Sequence, residues 1–273
     1  MKLSIVLLTW NSRRYAEACI NSIYKTVKLQ DFEIIVIDNG STDGTLDLLS
    51  GRFPDVFLVR NGVNKGLAPA RNRGLKLSKG DYILILDIDT VLKESAVNCL
   101  VEFMDKNDDV GLCAPRLVFT DGSVQNSCRR FPLVHTKLLR RLDFKWAAGL
   151  LESEYYGEQI KSGQVFFPDY VIGACQLIRR EALKETGPLD DKIFYGPEDV
   201  DFCLRMWLKG WKVAYVPTAA VVHHEQRITK KKLFSYITVR HIQGLVHYFL
   251  KHRYFFSREG IYGKIRRVFG KGY

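Results

Sequence analysis

Short apolar runs alternate along the first half of the chain with stretches whose apolar residues recur at helical spacing. Residues 3–8 (Leu-Ser-Ile-Val-Leu-Leu) and 33–37 (Glu-Ile-Ile-Val-Ile) each end in polar residues and read as buried parallel strands. Between them Ala16, Cys19, Ile20, Ile23 and Val27 share one helix face, with Asn11 or Ser12 placed to cap its start. The same unit then repeats. A helix begins near Thr45, a strand covers Val56 to Val59, and a helix runs roughly from Pro69 to Leu77. A strand from Tyr82 to Leu86 is followed by a helix bearing Ala96, Val97, Leu100, Val101 and Met104, and then by a strand from Val110 to Ala114. This alternation predicts an α/β chain with an open, mostly parallel sheet and helices on both faces.

After Pro115 the regularity fades. Residues 116–170 mix short apolar pieces with Arg129, Arg130, Lys137, Arg140, Arg141 and Lys145 and take no assignment. Order returns with the stretch from Tyr170 to Ile178 and a helix near Arg180 to Thr186. A stronger helix from Glu198 to Lys209 aligns Val200, Cys203, Leu204, Trp207 and Leu208 on one face, with Gly210 as its stop. A strand from Lys212 ends at Pro217. The chain divides at 1–114, 115–226 and 227–273.

Composition narrows the class. With 273 residues, 47% hydrophobic, 26% charged and 8 prolines, the chain is a folded globular protein. It has neither an apolar run long enough to span a bilayer nor a signal-peptide pattern, which predicts a protein that stays in the cytoplasm or on the inner face of the cell membrane. Six scattered cysteines without C-x-x-C spacing predict reduced thiols.

The net charge of +11 resides in the last segment. Residues 227–273 hold twelve Lys or Arg against Glu259 alone, whereas the first 226 residues hold 29 bases and 29 acids. Phe234, Tyr236, Ile237, Leu245, Tyr248 and Phe249 interleave there with Lys230, Lys231, Lys232, Arg240, Lys251 and Arg253, a pattern of one or two basic amphipathic helices. Each such base contributes about 1 kcal/mol near an anionic leaflet, so residues 227–273 are expected to hold the protein to an anionic membrane surface. The other reading is a helix packed on the body with a solvated basic face. A neutral body argues against a nucleic-acid partner.

Open parallel sheets bind ligands beyond the carboxyl ends of their strands. The residues there are Thr9, Trp10 and Asn11, then Asp38 and Asn39, then Asp87 and Asp89. Trp10 can stack on a base, and Asp38 can accept hydrogen bonds from a base or ribose. Residues 39–44 (Asn-Gly-Ser-Thr-Asp-Gly) are equally good turn chemistry on their own. In Asp87-Ile88-Asp89, alternation along an extended chain sends both carboxylates to one side, where they suit Mg2+ or Mn2+. The alternative is a capping aspartate before a helix over 92–104. Asn64-Lys65-Gly66 leads into a helix carrying Arg71 and Arg73, where a phosphate can dock. Neither G-x-x-x-x-G-K-[ST] nor G-x-G-x-x-G after the first strand is present. Glu198, Asp199 and Asp201 open a helix, which stabilises it by dipole alone, and a loop at 194–196 can aim Asp199 or Glu198 as a general base. His223 and His224 follow an apolar run, where one can serve as a metal ligand or phosphate donor.

In combination Thr9-Trp10-Asn11, 38–44, Asn64-Lys65-Gly66, Asp87-Ile88-Asp89 and 198–201 resemble the inverting glycosyltransferases of family two, and more narrowly their rhamnosyltransferase-like branch. The resemblance implies a GT-A fold, a nucleotide-diphospho-sugar donor and a divalent metal, with 1–114 as the donor half and 115–226 as the half bearing acceptor and base. It places Thr9, Trp10, Asn11, Asp38, Asn64, Gly66, Arg71, Asn72 and Asp87 at the donor. Asp89, Asp87 and His223 fall at the metal, with His224 as the other candidate, and Asp199 is the base with Glu198 as second choice. Residues 173–175 border the acceptor, a glycan or lipid-linked glycan. The branch favours dTDP-rhamnose, then UDP-sugars. The family's processive polymerases carry Q-x-x-R-W and spanning helices, and without these one hexose is expected per encounter. A sugar nucleotidyltransferase is the enzyme alternative, although it would carry a glycine-rich loop after the first strand. A nucleic-acid-binding module is the remaining one.

Overall fold

The computed structural model describes residues 1–142, 148–225 and 235–270. The elements in chain order are β1 (Leu3–Thr9), α1 (Arg13–Thr26), β2 (Phe32–Asp38), α2 (Thr45–Arg52), β3 (Phe57–Arg60), α3 (Leu67–Leu77), β4 (Tyr82–Asp87), β5 (Thr90–Leu92), α4 (Ala96–Asp105) and β6 (Val110–Val118). They continue with β7 (Cys128–Arg129), α5 (Val134–Leu142), α6 (Ala148–Glu152), α7 (Gly157–Ser162), β8 (Tyr170–Val171), β9 (Cys175–Arg179), α8 (Arg180–Thr186), α9 (Glu198–Leu208), β10 (Lys212–His223), α10 (Tyr236–His252) and α11 (Glu259–Phe269).

Eight strands form one sheet in the order β3-β2-β1-β4-β9-β6-β10-β5, and β7-β8 form a small second sheet. All strands of the large sheet run in parallel except β9 and the edge strand β5. Both faces are covered, which is why β1 reads as a run and not an alternation: Leu3, Ile5 and Leu7 enter the core under α1, α2 and α4, while Val6 enters the core under α3 and α9. The described cysteines are free thiols, five of them buried.

Three strand expectations need correction. First, β6 continues through Pro115 to Val118 and β10 through Pro217 to His223. The ladder is tolerant at that point, because Val216 pairs with Pro115 and Ala220 with Arg116, so residues 217–219 bulge where a missing N–H costs no pairing. Second, the Tyr170–Ile178 stretch holds two strands in different sheets, separated by residues 172–174. Third, Thr90–Leu92 pairs antiparallel with β10, so the following helix starts at Ala96 and not at residue 92.

Residues 235–270 are part of the body. Tyr248, Phe249, Tyr254, Ile261 and Ile265 are buried in the same core as the sheet's α9 face. Asp201 on α9 is fully buried and takes His252 Nε2 (2.8 Å), Lys251 Nζ (2.7 Å) and Arg205 Nε (2.8 Å). Burial alone raises its pKa, and these partners, His252 first, hold it well below the usual carboxylate range. Lys230, Lys231, Lys232 and Phe234 lie outside the described residues. Among the described residues, no helix is long and apolar enough to cross a membrane.

Candidate active site

Parallel register brings the strand ends together. Thr9 of β1 lies level with Asp38 of β2, and Leu8 with Asp87 of β4. Beyond them opens a cavity of about 330 Å³ lined by Trp10, Asn39, Asn64, Gly66, Asp87, Asp89, Phe194, Tyr195 and His223, among others. Trp10 stands at its rim, 40% exposed. Gly66 adopts a φ of +93°, and a Cβ there would sit 2.6 Å from the Phe194 carbonyl. The Leu67 N–H at the start of α3 donates to that carbonyl (2.6 Å), so the turn into α3 is closed by protein at this point.

Thr9, Asn11 and Asp38 do not line the cavity; Thr9 and Asp38 are buried and Asn11 is exposed. Thr9 is fully buried and its hydroxyl has no hydrogen-bond partner. The Asp38 carboxylate accepts from Gly40 N (3.0 Å) and Ser41 N (3.2 Å), which bends the 39–44 loop. Asn11 Oδ1 accepts from Thr42 N (2.8 Å), so this side chain ties the loop to the end of β1. Capping of α1 comes from the same loop. Asp43 Oδ2 accepts from Arg13 N (3.0 Å), whereas the Ser12 side chain makes no cap bond. Asn39 is the loop's main brace, donating to Asn64 Oδ1 (3.0 Å) and Gly66 O (3.1 Å) and accepting from Lys65 N (3.1 Å).

Asp87, Asp89 and His223 offer ligand atoms within 4.8 Å of one another. That spacing fits one divalent ion, whose opposed ligands lie about 4–4.5 Å apart, and a donor set of two carboxylates and an imidazole suits Mn2+ as well as Mg2+. The carboxylates converge because the chain turns at 88–89 and returns as β5, while β5–β10 pairing sets His223 opposite Thr90. Buried Gln125 completes the arrangement. Its Oε1 lies 2.9 Å from His223 Nδ1, and its Nε2 donates to the His223 carbonyl (2.8 Å). Since an amide oxygen only accepts, this bond places a proton on Nδ1 and turns Nε2 toward Asp89 Oδ1 at 3.7 Å. His224 instead turns its ring onto Tyr15 at 5.3 Å.

Arg71 lies beneath the site, not on its wall. It is buried, and its guanidinium reaches Asp87 Oδ1 (2.5 Å), Glu198 Oε1 (2.9 Å) and the Gly173 carbonyl (3.0 Å). Burial works against its charge, and Asp87 and Glu198 more than restore it. Glu198 is also buried, its second oxygen accepting from Gly196 N (2.7 Å). Burial and neighbouring Asp199 push its pKa up to about 7 against the pull of Arg71. Asp199 is less enclosed; its oxygens accept from Gly173 N (3.1 Å) and Val200 N (2.8 Å). The break between β8 and β9 thus frees both backbone groups of Gly173, one for each partner. Asn72 points elsewhere, donating to Leu189 O (2.8 Å) and accepting from Leu189 N (2.9 Å).

Sequence reasoning missed Gln125 and gave Asn39 no role at the site. Asn39 stood in plain view after β2. Gln125 lies in the stretch without periodicity and carried no signal.

The chain is similar in sequence and in fold to known glycosyltransferases. A protein of Mycobacterium tuberculosis (strain ATCC 25618 / H37Rv) named N-acetylglucosaminyl-diphospho-decaprenol L-rhamnosyltransferase is 27% identical over 251 residues, 88% of this chain and 81% of that one. The poly(ribitol-phosphate) beta-glucosyltransferase of Bacillus spizizenii is 35% identical over 112 residues, 39% of this chain and 18% of that protein. Among solved structures, the Pyrobaculum calidifontis mannosyltransferase with GDP-Man and Mn2+ superposes with a TM-score of 0.64 at 18% identity, covering 98% of this chain and 68% of that one. TarS of S. aureus gives 0.60 at 18% identity over 82% of this chain and 60% of its own. The sheet and its helices are those of a GT-A glycosyltransferase. The description Glycosyl transferase family 2 matches residues 4–187, and with well over half of its length inside that match the chain belongs to this family and is a glycosyltransferase.

Proposed function

We propose that the protein is a metal-dependent, inverting glycosyltransferase that moves one sugar from a nucleotide-diphospho-sugar to a hydroxyl of a cell-envelope or polysaccharide acceptor carried on a lipid. The observation that carries this reading is the Asp87–Asp89–His223 trio on the cavity wall. A divalent ion held there supplies positive charge where the leaving nucleoside diphosphate gains negative charge. Trp10 stacks on the base, and Asn39 and Asn64 shape the cavity below it.

Asp199 is the base. Glu198 is closed in by Arg71 and Gly196 and cannot reach a substrate, whereas Asp199 is oriented by the Gly173 N–H and more open. A carboxylate placed there can take the acceptor's hydroxyl proton as the new bond forms. One displacement from the face opposite the leaving group inverts the anomeric centre.

Similarity over most of the chain to a protein named for transferring L-rhamnose to a decaprenol-linked sugar supports dTDP-rhamnose as donor, UDP-sugars next, and a lipid diphosphate acceptor. Work at an anionic membrane surface on the cytoplasmic side, through residues 227–273, follows from such an acceptor. Family membership favours this reading over a sugar nucleotidyltransferase or a nucleic-acid-binding module.

The test is thermal stabilisation and donor consumption across dTDP-rhamnose, UDP-sugars and GDP-mannose, each with Mn2+, Mg2+ or chelator. A single class of donor should raise Tm, and only with metal. Equal stabilisation in chelator would exclude metal dependence, and no donor bound by folded protein would exclude the reading.

A further inference from the structure

Helix α10 is apolar on both faces. Its inner face buries Tyr248 and Phe249, and its Gly244 lies so close to Gly196 that a Cβ would stand 2.4 Å from the Gly196 carbonyl. The outer face, at spacings of three and four residues, carries Val239, Ile242, Val246 and Leu250, which are 51%, 41%, 53% and 62% exposed. Just past the helix Phe255 and Phe256 continue the patch, the latter 72% exposed. α5 starts alongside, where Val134 N donates to Phe255 O (2.9 Å) and His135 stacks on Phe256. A contiguous ridge of this kind is uncommon on a soluble surface and marks a contact.

Charge identifies the partner. Residues 235–270 hold seven Lys or Arg against one acid, Glu259. Arg253, Lys264, Arg266 and Arg267 are exposed. Two copies of the chain meeting through this ridge would bring their positive fields together, whereas an anionic bilayer meets both the apolar and the basic components.

We propose that this ridge inserts into an anionic bilayer and thereby sets the active site at head-group height. The proposal deepens the lipid-linked-acceptor reading given above and rests on it for the acceptor alone. The other face of α10 grips the loop that borders the cavity. His241 Nδ1 lies 3.1 Å from the Tyr195 carbonyl, the Tyr236 ring meets Phe194 edge-on, Arg240 lies over the Phe194 ring, and Ile237 lines the cavity itself. Lipid and catalytic loop are therefore separated by one helix diameter, about 10 Å. A hydroxyl on a lipid-borne sugar can approach Asp199 with its lipid still in the membrane. Basic charge alone would give attachment without orientation; the ridge fixes which way the cavity faces.

The test uses the full-length protein and flotation with vesicles of phosphatidylcholine, with and without phosphatidylglycerol. Wild type should float with the anionic vesicles. The variant Ile242→Asn/Val246→Asn/Leu250→Asn, whose positions are exposed, should keep its Tm and its lipid-free donor hydrolysis yet lose at least about tenfold in partitioning. Independently, Trp fluorescence of Val246→Trp should shift to the blue on anionic vesicles. Unchanged flotation of the triple variant would overturn the proposal. So would a lipid-free wild-type dimer that the triple variant turns into monomer with vesicle binding intact. Ridge-dependent flotation of a protein that binds no nucleotide-sugar would sink the transfer reading and leave the docking surface standing.

Discussion

The proposed metal end and the proposed base end of the site are held by different forces. At the metal end the backbone positions each group: β4 stops at Asp87, the chain turns through Asp89, and β5–β10 pairing delivers His223. At the base end a single buried cation, Arg71, ties together Asp87, Glu198 and Gly173, which come from three distant parts of the chain. Sheet hydrogen bonds are many, so losing one side chain at the metal end has local effects. The Arg71 network has no redundancy, and its loss strands two carboxylates, one of them buried.

Four substitutions test this contrast. The largest effect is expected from Asp199→Asn, which should cut transfer by about 10²–10⁴-fold while donor affinity, measured by calorimetry, stays within about twofold. Arg71→Met should cost about 3–5 kcal/mol in urea unfolding and reduce transfer as well, because Glu198 is left without its cation. Gln125→Leu should cost less, about 1–3 kcal/mol for the buried groups it leaves unpaired, and weaken Mn2+ binding about 10–100-fold, since His223 loses the acceptor that fixes its tautomer. If Gln125→Leu unfolds the protein and Arg71→Met does not, the contrast is reversed.

The smallest effect is a pH slope. The Glu198 pKa is raised in the folded state, to about 7. The folded protein therefore binds more protons than the unfolded chain between its ordinary value near 4.3 and that figure. This group's contribution is most favourable below that window and is lost as pH rises through it, by at most about 1.4 kcal/mol per pH unit. Replacing Glu198 with Gln should flatten that part of the stability profile.

The same division decides what the sequence could reveal. Trp10, Asp87 and Asp89 follow runs of buried aliphatics, and a parallel sheet collects strand ends at one edge, so pattern alone located them. His223 against His224 was open, because the choice depends on the register of β5, three residues long and read as the approach to a helix. Asn11 and Asp38 follow strands too, but they spend their side-chain polar groups on the 39–44 loop, and Thr9 is buried with its hydroxyl unpartnered, none of which position along the chain reveals. Arg71 looked like a phosphate ligand because it follows Gly66 on a helix. Only long-range contacts make it a buried clamp. Residues 227–273 read as a charged appendage since the count of bases outweighed Tyr248 and Phe249, which the folded chain buries.

The central claim is that Asp87, Asp89 and His223 hold one divalent ion for the diphosphate of a nucleotide-sugar. Titration of Mn2+ followed by electron paramagnetic resonance, with and without a nucleoside diphosphate, tests it directly. The account predicts one ion per chain, bound more tightly with nucleotide, lost in Asp89→Ala, weakened in His223→Ala and unchanged in His224→Ala. Equal Mn2+ affinity in wild type and Asp89→Ala would contradict it.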